Sequence, residues 1–142
     1  MNYFFDTSAL IKNYIEEIGS DHVSGLMDSA AEIFVSTITI IECYSTLRRI
    51  LVEKLITEDE YSHLKKKIAY DFDFFNKIEF ENSTEKCEQL IDAYQLKTLD
   101  SIQLAASLTV LDEIDNFVCC DIKLLNAAER ENLDILNPID MK

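Results

Sequence analysis

The sequence predicts an α/β fold in which helices cover both faces of a central parallel sheet of four to five strands. Three observations predict it. Short apolar runs of strand length alternate with longer segments of helical periodicity, so each strand is followed by a segment long enough for a right-handed crossover. No Pro-rich or Gly/Ser-rich linker and no internal repeat divides the 142 residues, and the only proline is Pro138, so residues 1–142 read as a single domain. Apolar residues make up 48% of the chain, with 8 Phe and 6 Tyr, which is ample core material for that length.

In chain order, NYFFD reads as a buried strand and SALIKNYIEE as a helix that Thr7 or Ser8 can cap. HVSGLMDSAA reads as a second short helix and EIFVS as a second strand. TIIECYSTLRRILVEKL follows as a long helix with Ile40, Tyr44, Leu47 and Leu51 along its apolar side. Glu58, Asp59 and Glu60 open EDEYSHLKKKIAYDFDFF, where negative charge suits a helix N-terminus. KIEFE is strand-like. STEKCEQLIDAYQL is a helix whose candidate cap, Ser83, lacks the reciprocal capping box because Lys86 stands three residues on. The last third repeats the alternation: DSIQLAASLTVL as helix, FVCC as strand, DIKLLNAAEREN as helix and LDILN as the final strand.

Composition removes several function classes. The longest apolar run, Ile33 to Ile41, is about half the roughly 18 residues a membrane span needs. The N-terminus carries no basic segment leading into an apolar one, so the expected location is the cytoplasm. Cys43, Cys87, Cys119 and Cys120 show no C-x-x-C spacing, and His22 and His63 stand alone, which fits reduced thiols rather than a zinc site. Only Gly19 and Gly25 occur, so neither a dinucleotide fingerprint nor a P-loop is present. Lys and Arg total 13 against 27 Asp and Glu; the resulting −14 repels polyanions unless cations or a local basic patch intervene, with Lys12, Arg48 and Arg49 as candidates for the latter.

The residues that could carry chemistry are carboxylates. Asp6 ends the first strand, Glu42 begins the helix after the second, Asp100 begins DSIQLAAS and Asp121 ends the fourth strand. A parallel sheet gathers such junctions at its carboxyl edge, where sites form. Crowded carboxylates repel one another, and oxygen-only ligands favour Mg²⁺ or Mn²⁺ over zinc as the neutralising ion. Each residue also has a structural reading. Asp6 and Asp121 can cap the helices that follow them, Asp100 can pair with Gln103 at a helix start, and Glu42 falls on the helical side away from Ile40 and Tyr44.

FFDTSALIK, TIIECYSTL, TLDSIQLAAS and FVCCDIKLLNAAE, in this order, resemble the signature segments of PIN-domain ribonucleases, especially the VapC-like toxins of type II toxin-antitoxin systems. The resemblance runs from Asn2 to about Pro138. It implies a PIN-like three-layer α/β/α sandwich, a metal-dependent endoribonuclease, and Asp6, Glu42, Asp100 and Asp121 as catalytic residues holding Mg²⁺ or Mn²⁺, with Ser8 in support. It further implies an RNA substrate, a basic antitoxin protein as partner and a homodimer. Two-metal phosphodiester hydrolysis needs no histidine base, which suits this chain. Gln103 stands where many relatives have His, Cys119 and Cys120 where many have Thr or Ser, and Asn132 where many have Gly; Asn tolerates the left-handed turn required there. The alternatives are a catalytically inactive PIN-like protein-interaction or regulatory module, which the strong negative charge favours, and an aspartyl-phosphate protein built on Asp6. The last lacks a second Asp two residues on, where Ser8 stands.

Overall fold

Five short strands form, the inner three of them where apolar runs can be buried from both sides. In a computed structural model, which describes residues 1–141, they are β1 (Asn2–Phe5), β2 (Glu32–Ser36), β3 (Asn76–Ile78), β4 (Asn116–Val118) and β5 (Ile135–Leu136). All neighbours pair in parallel in the order β3-β2-β1-β4-β5, with Phe4 opposite Phe34 on one side and Phe117 on the other. The helices are α1 (Thr7–Leu10), α2 (Ser20–Ser29), α3 (Ile38–Val52), α4 (Glu58–Phe72), α5 (Thr84–Tyr94), α6 (Thr98–Thr109) and α7 (Ile122–Arg130).

Alternation along the strands divides the core into two layers. Tyr3, Phe5, Val35 and Val118 face α1 to α4, together with Leu10, Cys43, Leu47 and Ile68. Phe4, Phe34 and Phe117 face α5 to α7, together with Leu90, Leu104 and Leu124. Phe4 and Phe117 stack at 5.7 Å between ring centroids. With both faces covered, a strand has no polar side to show, which is why these runs read as continuously apolar. The three-layer α/β/α sandwich is the architecture that the strand and helix alternation predicts.

The strands are shorter than the sequence reading has them, since of KIEFE only Lys77 and Ile78 lie in β3, of FVCC only Phe117 and Val118 in β4, and of LDILN only Ile135 and Leu136 in β5. Three further details differ. SALIKNYIEE is not one helix: α1 spans only Thr7–Leu10 and continues as a 3₁₀ turn over Ile11–Asn13. Beyond it, Glu17 N donates to Ser20 Oγ (2.8 Å), Ser20 Oγ donates to Ile15 O (3.1 Å), and Gly19 takes φ +94°, so side-chain-to-backbone bonds replace the helical ladder. Second, α3 buries Thr39, Cys43, Leu47 and Ile50, whereas Ile40 and Tyr44 are half-buried and Ile41 is exposed. The inward side is turned by about one residue because Thr39 belongs to a buried polar cluster at the sheet edge. Third, α6 starts at Thr98, so Asp100 and Gln103 lie inside the helix and form no capping pair. Asn132 does take the left-handed conformation, φ 68°. Among the described residues no helix is long and apolar enough to cross a membrane.

Candidate acidic active site

At the carboxyl edge of the sheet, a cleft of about 860 Å³ is lined by Asp6 and Ser8 from the β1–α1 junction, Glu42 from α3, Asp100 from α6 and Asp121 from the β4–α7 junction. The five residues singled out from the sequence therefore share one cavity. Ile38, Ile41 and Leu99 supply apolar wall, and Lys12 and Arg49 are the cationic side chains among the lining residues. Arg48 does not line it.

Asp6 is 4% exposed and is held from several sides. Its Oδ2 accepts from Ser8 N (3.3 Å), Ser8 Oγ (2.5 Å) and Cys119 Sγ (3.3 Å). It is thus the N-cap of α1, as its structural reading had it, in place of Thr7 or Ser8. All three bonds fall on one oxygen, so Oδ1 accepts none from the described residues. Ser8 Oγ also accepts from Cys120 N (3.0 Å), tying β1 to the chain beyond β4. Desolvation by burial pushes the Asp6 carboxyl up to about 6 against these bonds, with Asp100 and Glu42 adding charge repulsion.

Glu42 is half-buried, not the solvent-facing residue its helical position suggested. Its Oε1 accepts from Thr7 Oγ1 (2.8 Å) and from Gln103 Nε2 (2.9 Å). The same Gln103 amide lies 3.0 Å from Thr7 Oγ1 and 2.8 Å from Thr39 Oγ1, so two protons serve three oxygens. Gln103 is 1% exposed, and its Oε1 finds no partner among the described residues. The sequence marked Gln103 as standing where many relatives have His and as a partner for Asp100, but not its clamp on Glu42; the available signal was a Gln inside the apolar run SIQLAAS. Asp100 is raised above the ordinary carboxylate range, first by desolvation and then by the charges of Asp121 and Glu42. Asp121 is exposed and caps α7, its Oδ1 accepting from Leu124 N (3.0 Å), so its structural reading holds as well. It lies three residues past the end of β4 rather than on it. The four thiols are free, Cys43 and Cys119 fully buried.

The donor chemistry of this cleft fits a hard divalent cation. It offers carboxylate oxygens, and two of those carboxyls are raised by burial and mutual repulsion that a cation would relieve. The cage is open rather than closed: among the described residues no group of three or more His, Cys, Asp or Glu side chains is gathered tightly enough to hold an ion.

A parallel sheet with an acidic cleft at its carboxyl edge defines a class of α/β protein, and comparison with known proteins narrows it. The PIN domain model matches residues 3–112, and the chain belongs to the PIN domain family. The match contains Asp6, Ser8, Glu42 and Asp100; Asp121 lies beyond it. Among solved structures, FitAcB from Neisseria gonorrhoeae is similar over 98% of this chain and 99% of its own, at TM-score 0.72 and 15% identity. A toxin-antitoxin complex from Klebsiella pneumoniae aligns over 98% and 99%, at 0.69 and 18%. The sarcin-ricin loop cleaving toxin VapC20 of Mycobacterium tuberculosis aligns over 88% and 94%, at 0.64 and 14%. At these identities the likeness is one of fold. No curated protein matches the chain by sequence.

Proposed function

We propose that the chain is a divalent-cation-dependent endoribonuclease acting as the toxin of a toxin-antitoxin pair. The observation that carries the reading is the meeting of Asp6, Glu42, Asp100 and Asp121 in one cleft of a PIN-family chain. These four would hold Mg²⁺ or Mn²⁺. Such an ion supplies Lewis acidity, lowering the pKa of a water and offsetting the charge that develops on phosphate.

The chain's own residues do the positioning. Ser8 and Cys119 fix Asp6 Oδ2, while Thr7 and Gln103 fix Glu42 Oε1, so two carboxylates approach the cleft with little rotamer freedom to lose. Lys12 and Arg49 offer positive charge to phosphate, each shared with a carboxylate at 3.6 Å, Glu17 and Glu53 respectively. A cleft with an acidic floor and apolar wall also suits a basic peptide, and the −14 charge makes a basic antitoxin the easier protein guest. The names of similar folds support this reading: one is a sarcin-ricin loop cleaving toxin, another a toxin-antitoxin complex.

The open cage favours a second reading, a PIN-like interaction module without catalysis. Incubating the protein with a mixed RNA pool, with Mn²⁺ and with EDTA, separates the two. Endonucleolytic products that need Mn²⁺ support the nuclease; intact RNA under both conditions favours the module.

A further inference from the structure

In a chain with 27 acidic and 13 basic residues, the cations have carboxylates in excess to pair with. Among the described residues only Lys12, Arg49 and Lys86 do so. Arg48, Lys54, Lys65, Lys66 and Lys67, all on or between α3 and α4, form no ion pair with them, and three of these five lie over tyrosine rings instead. Lys65 Nζ is 5.7 Å from the Tyr44 ring centroid and 5.1 Å from that of Tyr61, and Arg48 Cζ is 6.0 Å from Tyr61. Tyr44, Lys65, Tyr61 and Arg48 thus interleave into one ladder across the two helices.

A cation held on a ring keeps its full charge while its side chain is already ordered. That combination suits a phosphate better than a carboxylate-neutralised cation does. The ladder also adjoins the cleft. Ile41, Ser45 and Arg49 of α3 line the acidic cavity, and Arg48 follows Ser45 by three residues and Ile41 by seven, on neighbouring rows of the same helix. From Glu42 to Arg48 the helix rises about 9 Å, on the order of one to two phosphate spacings of an extended strand.

Building on the ribonuclease reading, we propose that the Tyr44–Lys65–Tyr61–Arg48 ladder binds single-stranded RNA on its way to or from the acidic cleft. The two cations meet successive phosphates, and the Arg48 guanidinium plane offers a stacking surface to a base. This local path resolves how a chain of net charge −14 engages a polyanion.

The test is RNA binding rather than cleavage, so it stands apart from the nuclease reading. Fluorescence anisotropy with a labelled single-stranded RNA of about a dozen nucleotides is run on the full chain in EDTA, across a range of KCl concentrations. The variant Arg48→Gln with Lys65→Gln keeps both aliphatic stems on the tyrosines and removes both charges. It is expected to weaken binding severalfold at low salt and to reduce the slope of log K against log salt by about 1.4, some 0.7 for each phosphate that is no longer neutralised. Lys86→Gln with Arg130→Gln removes the same charge elsewhere and is expected to keep the wild-type slope. An equal effect of both pairs, an unchanged slope in the ladder variant, or no RNA binding by the wild type would overturn the path. In each case Mn²⁺-dependent cleavage by the wild type would leave the nuclease reading standing.

Discussion

Asp6 is both cap and candidate ligand, and the two roles pull on its carboxylate differently. The cap needs only an acceptor oxygen, which Asn also offers. The buried charge is costly, and the raised value of about 6 records that cost. Because the folded pKa exceeds the ordinary 3.8, the native state keeps a proton that the unfolded chain has released between those values. Metal-free stability from this group therefore rises as pH falls from about 6 towards 4, by up to about 3 kcal/mol, and stays low above that window. Denaturation of wild type and Asp6→Asn in EDTA across pH 4 to 7 isolates the effect: the variant's advantage should shrink as pH falls, and a difference independent of pH would refute it. Gln103→Leu removes a donor from Glu42 Oε1 and deletes a buried orphan oxygen, so the fold should survive while Mn²⁺ affinity falls about tenfold in a calorimetric titration. Unchanged affinity would mean that Thr7 alone holds Glu42.

Among the elements, strands β1 and β2 were the most legible. EIFVS is β2 residue for residue, because an apolar run buried on both faces leaves no register ambiguity for the sequence to hide. Helix orientation was less legible. In α3 the apolar residues Ile38, Ile40, Ile41, Leu47, Ile50 and Leu51 occupy more than one side, and the choice was made by the polar contacts of Thr39 with Thr7 and Gln103, residues distant in sequence. The same distance hid the partial burial of Glu42. In α4, acidic residues marked the start correctly, and the structure adds Thr57, whose side chain accepts from Glu60 N (3.1 Å) while Glu60 Oε1 accepts from Thr57 N (3.0 Å). Thr57→Ala breaks this box and should cost about 1 kcal/mol in urea denaturation without moving the cleft residues. A loss below a few tenths would show that tertiary packing alone holds the first turn.

Across the molecule, parallel strands put the strand-to-helix junctions that carry Asp6 and Asp121 on one edge, where the second turn of α3 adds Glu42 and the first turn of α6, which follows α5 rather than a strand, adds Asp100. Their electrostatic conflict is the global counterpart of the raised Asp6 and Asp100 carboxyls. Ions that bind only the folded chain should relieve it, and at a hundredfold excess over Kd the gain is about 2.7 kcal/mol. A thermal melt in millimolar Mn²⁺ should therefore shift upward by several degrees relative to EDTA, and an unchanged Tm would speak against any cation in the cleft. The acidic cleft as a nuclease site is tested by Mn²⁺-dependent cleavage of an RNA pool by wild type and Asp6→Asn side by side, each shown to be folded by metal-free melting. A cation held by Asp6 requires cleavage by the wild type and none by Asp6→Asn, whose metal-free Tm is equal or higher; cleavage retained by the folded variant would rule that site out.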